Sequence, residues 1–187
     1  MEIRMRLHII KGNREERLPR LMKELEAQGI TDYELWDGIY LSHSVKASIN
    51  ASHKQIVEYA KLAEWDEVCI AEDDLKFTHQ SSWKYFLKQK PFDFDMYLSM
   101  IYTGDIDENN YVKKFTGLTL YVIAKRFYDK FLSVSGDGHI DQELAGLGKY
   151  IVCNPFVAMQ YNGFSSNTGK NEVYDTLLQG RNIYLGD

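Results

Sequence analysis

The 187-residue chain carries 22 Lys and Arg against 27 Asp and Glu, a formal net charge of -5 at pH 7. With 44% hydrophobic residues, 26% charged residues and three prolines, it has the apolar content of a packed core, which excludes disorder for the bulk; its length fits one domain better than two. The acidic balance opposes a general nucleic-acid binder, because phosphate-backbone affinity rests on clustered Lys and Arg, so nucleic acid is not an expected partner.

Charges interrupt the run Met1-Glu2-Ile3-Arg4-Met5-Arg6-Leu7-His8 where a signal peptide needs an apolar centre. No later stretch reaches the roughly 18 apolar residues of a membrane span. Two cysteines, Cys69 and Cys153, allow at most one bridge, and Cys69 lies inside the apolar run Val68-Cys69-Ile70-Ala71, where a free cysteine behaves as a small hydrophobe. These features predict a cytoplasmic, reducing setting with no transmembrane segment. Aromatic residues make up 13% of the chain, which fits a larger core payload and also a protein that packs sugar or base rings.

In chain order, residues 5–10 read as a strand, and Leu18, Leu21, Met22 and Leu25 then recur at helical spacing up to Gly29. Pro19 has no N–H to donate, so this helix begins near it. Residues 33–36 read as a second strand closed by Asp37-Gly38, and a polar loop over 40–46 leads to a second helix. There Ile49, His53, Ile56, Ala60 and Ala63 share one face, ending near Trp65. Residues 68–71 form a short run apolar on both faces, as in a central strand covered on both sides. Beyond it the pattern predicts a helix over 82–87, strands over 96–100 and 117–124, and a helix over 125–134. A Gly-rich loop over 135–138, a short helix over 141–147, a strand over 150–152 and a helix over 173–178 complete the series. No repeat or linker interrupts the alternation, which predicts an α/β fold with a mostly parallel sheet flanked by helices, in a single domain over 1–187 with its core at about 5–166 and a helix and tail over 167–187.

The most informative feature is Glu72-Asp73-Asp74, immediately after the predicted central strand. In open α/β sheets ligands bind beyond the carboxyl ends of strands, where this triplet would stand. Three adjacent carboxylates either spread into water or gather a divalent cation, and hard oxygen ligands favour Mg2+ or Mn2+ held together with substrate phosphates. The partner implied is a diphosphate. Neither a zinc spacing nor a P-loop or GxGxxG competes, and the pairs Ser42-His43 and Ser52-His53 lack the Gly-x-Ser-x-Gly context of a hydrolase.

The order of these motifs resembles the glycosyltransferases of family 25, related to lipopolysaccharide biosynthesis, which have the nucleotide-diphospho-sugar transferase (GT-A) fold. The residues that carry the resemblance are the strand and Arg-rich helix start over 9–18, Trp36-Asp37-Gly38, Ser52-His53, the strand ending in Glu72-Asp73-Asp74, the Gly-containing strand over 117–123 and His139-Ile140-Asp141. Together they span about 5–166. The chain departs from the family in having Ser48-Ile49-Asn50-Ala51 where a Gly and a Cys usually precede Ser-His, and in being shorter than typical members.

The resemblance implies transfer of a sugar from a nucleotide-diphosphate donor, a UDP-sugar, to an acceptor hydroxyl of a glycan or other molecule, with inversion and with Mn2+ or Mg2+ as cofactor. Departure of a diphosphate develops negative charge, which a cation held by Glu72 and Asp74, with Asp73 beside them, would stabilise. Inversion needs a base on the opposite face: Asp141, with His139 as a second base or late metal ligand. Asp141 reads equally well as a helix N-cap. Ser52 and His53 are assigned to the donor, although His53 also fits a satisfied core histidine. Lys11, Arg14 and Arg17 are candidates for phosphate or base, and Asp37 for base or ribose, each with an ordinary surface or turn role as its alternative. Residues 154–167, rich in small, amide and aromatic side chains, read either as a lid over the donor or as a wrap around the sheet. Two other functions share these features: a non-catalytic nucleotide- or glycan-binding module on the same fold, and a metal-dependent phosphohydrolase or nucleotidyltransferase.

Overall fold

A computed structural model describes residues 5–165 and 167–186. The elements run β1 (Leu7–Lys11), α1 (Arg17–Ala27), β2 (Tyr33–Asp37), α2 (Val45–Leu62), β3 (Glu67–Glu72), β4 (Leu75–Phe77), α3 (Ser82–Gln89), β5 (Met96–Leu98), β6 (Tyr111–Val112) and β7 (Leu120–Ala124). A 3-10 turn at Lys125–Phe127 leads into α4 (Tyr128–Ser133), followed by α5 (Ile140–Glu143), β8 (Tyr150–Val152), β9 (Ala158–Gln160), β10 (Gly163–Ser165), β11 (Lys170–Glu172) and α6 (Tyr174–Leu177).

Seven strands form one sheet in the order β2-β1-β3-β7-β5-β8-β6. β2, β1, β3, β5 and β8 share one direction, while β7 and β6 oppose it, so the sheet is mostly parallel as the alternation predicts. β3 is covered on both faces: Val68 and Ile70 pack with Ile56 and Val57 of α2 and Phe131 of α4, and Cys69 and Ala71 pack with Leu21 and Leu25 of α1 and Trp83 and Phe86 of α3. Each large side chain buried in these layers contributes about 1.5–3 kcal/mol of hydrophobic stabilisation. Among the described residues no helix is long and apolar enough to cross a membrane.

Several boundaries differ from the sequence pattern for local reasons. Pro19 stands third in α1, inside the first turn, where no helical partner for its missing N–H is needed. α2 begins at Val45 because Ser44 caps it, its hydroxyl accepting the Ala47 N–H at 3.2 Å. β7 begins only at Leu120, since Gly117 has φ +107° and turns the chain into the strand. The helix expected over 141–147 is the single turn Ile140–Glu143. The 154–165 stretch wraps the sheet: Phe156, Val157 and Ala158 are buried, and β9 pairs antiparallel with β4; Ser166 lies outside the described residues.

Candidate active site

The carboxyl ends of three parallel strands are level, Ile10 of β1 pairing with Trp36 of β2 on one side and Glu72 of β3 on the other. The chain leaves β1 for β2 and reaches β3 on the opposite side, which opens a crevice beyond β1 and β3. A cleft of about 620 Å3 lies there. Its floor holds Gly12 and Glu72-Asp73-Asp74; α2 and the loop before it make one wall, and Gln160, Ser165, Asn167, Tyr174 and Leu177 with His139 and Asp141 contribute to the other.

The three acids have separate environments. Asp73 is buried and fully engaged, Oδ2 accepting the Gly12 N–H at 2.7 Å and Oδ1 meeting Arg17 Nη1 at 2.7 Å. Arg17 Nη1 also lies 3.0 Å from Asp74 Oδ2, so one guanidinium compensates two buried carboxylates. Glu72 and Asp74 share a donor: Gln160 Nε2 lies 3.0 Å from Glu72 Oε2 and 3.2 Å from Asp74 Oδ1. Burial raises the Asp74 carboxyl well above the usual carboxylate range, and the nearby Glu72 adds to the shift against the opposing Arg17.

His53 is buried on α2, its Nε2 3.3 Å from Glu72 Oε1 and its Nδ1 2.5 Å from Tyr121 Oη. A carboxylate only accepts, so Nε2 carries the proton and Nδ1 accepts from the tyrosine hydroxyl. Burial holds the Tyr121 phenol far above its ordinary range, keeping that hydroxyl as a donor. His53 is thus satisfied in the core and at the cleft wall together. Ser52 fixes the wall's backbone, accepting the Ile39 N–H at 2.8 Å and donating to the Ser48 carbonyl at 2.8 Å.

Asp141 does not cap α5; that position belongs to His139, whose carbonyl accepts the N–H groups of Gln142 and Glu143. Asp141 instead turns into the cleft, Oδ2 accepting the Gly117 N–H at 2.9 Å and Oδ1 that of Gln142 at 2.8 Å. Burial raises its carboxyl above the ordinary range against the lowering effect of those two N–H groups. His139 also lines the cleft, with its Nδ1 3.3 Å from Asn167 Nδ2. The Gly-rich loop before it is held from both sides. Asn50 Nδ2 donates to the Gly138 carbonyl at 3.0 Å, and the Glu143 carboxylate accepts from Gly136 N–H, Gly138 N–H and the Ser135 hydroxyl.

The structure brings Arg14, Ser52, His53, Glu72, Asp73, Asp74, His139 and Asp141 to one cleft. Lys11 and Asp37 instead pair with each other at 2.7 Å on its outer edge, and neither lines it. Arg14 stands at the mouth with its guanidinium 4.6 Å from the centre of the Phe164 ring. The sequence did not single out Gln160, Tyr102 or Tyr121, and Gly117 entered only as the start of the Gly-containing strand. Gln160 falls in the amide-rich 154–167 stretch, which was its one sequence signal, and Tyr102 supports it by accepting the Gln160 N–H at 3.1 Å.

The residues fit a hard divalent cation. Glu72 and Asp74 offer carboxylate oxygens within reach of one amide nitrogen, beside the Arg17 guanidinium that faces Asp73 and Asp74. Among the described residues no group of three or more His, Cys, Asp or Glu is arranged around a common point. The fit is therefore to an ion held by two carboxylates together with substrate oxygens, the usual manner for Mg2+.

No protein-family model matches the chain, and no curated protein matches it. Solved structures do. HddC from Yersinia pseudotuberculosis is similar with a TM-score of 0.53 at 11% identity, covering 80% of this chain and 89% of that one. The same protein complexed with GMP-PN gives a TM-score of 0.51 at 12% identity, with the same coverage. A197 from STIV matches with a TM-score of 0.51 at 12% identity over 92% of this chain and 94% of that one. The fold is α/β, a mostly parallel seven-stranded sheet flanked by helices, and it is similar to that of HddC and A197.

Proposed function

We propose that this chain, as a single domain over 1–187, transfers a hexose from a nucleotide-diphosphate donor, a UDP-sugar, to a hydroxyl of a glycan or other acceptor, with inversion at the anomeric carbon. The observation that carries this reading is the Glu72 and Asp74 pair, joined by Gln160 at the carboxyl end of β3 and facing a cleft that also holds Asp141. The order of motifs shared with family 25 glycosyltransferases supports it, and Cys69 and Cys153, both buried and unbridged, agree with a cytoplasmic setting.

In this mechanism Glu72 and Asp74 would hold Mn2+ or Mg2+, which would supply Lewis-acid stabilisation of the departing diphosphate. Arg14 meets phosphate at the mouth of the cleft. Asp73 fixes the Gly12 backbone on which the donor lies, and Ser52 and His53 hold the wall beside it. Asp141 takes the proton of the acceptor hydroxyl as that oxygen attacks the anomeric carbon, and the bond to the diphosphate oxygen breaks on the opposite face. His139 orients the acceptor beside Asp141 and is the alternative base.

Release of free nucleoside diphosphate that requires both acceptor and Mn2+, and is lost in Asp141→Asn and Asp74→Asn, is the expected result. The binding-module reading draws on Arg17, which already compensates Asp73 and Asp74 without a metal. Tight nucleotide binding with no turnover across a panel of glycan acceptors is the result that selects it over transfer.

A further inference from the structure

The loop over 134–138 is gripped from two helices, and the mechanism above gives that grip no role. From α2, Asn50 Nδ2 donates to the Gly138 carbonyl at 3.0 Å, and one turn later the Lys54 ammonium donates to the Val134 carbonyl. From α5, Glu143 Oε1 accepts the Gly138 N–H and Oε2 the Gly136 N–H. Gly138 is therefore held at its N–H and at its carbonyl. The approach leaves no slack: a Cβ on Gly138 would lie 2.8 Å from Glu143 Oε1, and one on Gly136, where φ is +87°, would lie 3.5 Å from Asn50 Nδ2.

Beyond the grip lies the Asp141 side of the cleft. The next residue is His139, whose carbonyl opens α5, and Asp141 stands in that turn with Oδ2 on the Gly117 N–H at 2.9 Å. The route from Gly138 to Asp141 is short, so the direction of the Gly138 peptide sets where the Asp141 carboxylate lies. Asn50 is buried in the cleft wall, in the segment Ser48-Ile49-Asn50-Ala51 where the chain departs from the family 25 pattern. A group that meets a carbonyl has to donate, so an apolar side chain of the same size cannot replace this amide. The same helix carries Ser52 and His53, which are assigned to the donor. One rigid element thus spaces the two sides of the cleft.

We propose that Asn50, with Lys54 one turn beyond it, is a positioning residue: it holds the Gly138 peptide so that Asp141 stays on the Gly117 N–H and within reach of the acceptor hydroxyl. This rests on the transfer reading above and adds to it the side chain through which α2 sets the distance between donor wall and base. A misplacement of about 1 Å in a reacting group can cost about 10²-fold in rate, so a hydrogen bond remote from the reacting atoms is felt in kcat.

The test compares wild type with Asn50→Leu, which keeps the volume and loses the donor, and with Lys54→Met, which keeps the apolar stem. In amide hydrogen exchange followed by NMR, the Gly117 N–H is expected to exchange about tenfold or more faster in Asn50→Leu. The Ser99 N–H, bonded to the Leu120 carbonyl at 3.0 Å within the sheet, is the control and is expected to be unchanged. In steady-state turnover of UDP-glucose and UDP-galactose with Mn2+ and a panel of glycan acceptors, kcat is expected to fall about tenfold or more, with donor KM and UDP affinity within about twofold of wild type. Because the effect runs through Asp141, Asn50→Leu is expected to cost nothing further in an Asp141→Asn background. Lys54→Met is expected to move both readouts in the same direction, and it carries the test where Asn50→Leu does not fold. Unchanged Gly117 exchange in the folded variants overturns the proposal and leaves the transfer reading standing. A donor KM that accounts for the whole loss, or a loss that persists in full beside Asp141→Asn, also overturns it. A wild-type chain that turns over neither nucleotide sugar with any acceptor overturns the transfer reading, and the positioning role with it.

Discussion

Asp141 accepts the backbone N–H of Gly117 at 2.9 Å, which ties the segment after the Gly-rich loop to the entry of β7. Gly117 has φ +107°, and a Cβ there would come within 3.0 Å of the Tyr102 ring, so the contact depends on glycine. Replacing Asp141 with Asn keeps the shape and removes the proposed base. Turnover is expected to fall by about 10²–10⁴-fold with donor affinity retained, in steady-state rates beside direct nucleotide binding. Loss of less than about tenfold would assign the base elsewhere, with His139 next.

The pH profile follows from the same residue. Burial favours the neutral acid and raises Asp141, although two N–H groups oppose it. A base works deprotonated, so kcat/KM is expected to rise with pH through a pKa above the ordinary aspartate value of about 3.9. The residual activity of Asp141→Asn should lack that acid limb. An unchanged limb in the variant contradicts the assignment.

Arg17 supports the floor rather than the chemistry. Its guanidinium faces Asp73 and Asp74, with side-chain exposures of 17%, 5% and 8%. Arg17→Leu leaves two buried carboxylates without their cation, and removing one partner of a buried pair costs about 3–5 kcal/mol. Urea unfolding at pH 7 should show that loss. As pH falls and Asp74, raised by burial, binds its proton, the gap to wild type should narrow; a gap that is constant with pH contradicts this account.

Glu143 predicts a different pH signature. Burial works to raise its carboxyl, but the N–H groups of Gly136 and Gly138 and the Ser135 hydroxyl overcome it and hold it below the usual range. A depressed carboxyl contributes stability above its unfolded pKa of about 4.3, and that contribution is lost as pH falls through the folded value. Glu143→Gln should therefore be less stable than wild type at pH 7 and converge with it in acid, as read by thermal unfolding across pH.

What the sequence made legible was local. The run over 68–71, apolar on both faces and closed by three acids, identified a central strand and the edge where ligands gather, because periodicity and position are properties of neighbouring residues. Spacing put His53 on the apolar face of α2, and Ser52 came from the order of motifs. Partners far apart in the chain were not legible: Gln160 reaches Glu72 across 88 residues, and Arg17 reaches Asp73 across 56. At the start of an amphipathic helix Arg17 has the pattern of an ordinary surface cation, and only the fold brings it over the triplet. β4 and β9 to β11 are three-residue strands, too short for a period of two to stand out. Asp141 read equally as base or cap, and the His139 N-cap excludes the cap alone.

The central claim is that Glu72 and Asp74 form the donor site, and thermal unfolding tests it most directly. Wild type and Asp74→Asn are melted with a panel of nucleotide sugars, each with and without Mn2+. A ligand at 100 times its Kd stabilises the folded chain by about 2.7 kcal/mol. The account predicts stabilisation that needs both the metal and a UDP-sugar and is lost in Asp74→Asn. Absence of stabilisation by every nucleotide sugar, or stabilisation undiminished in the variant, would contradict it.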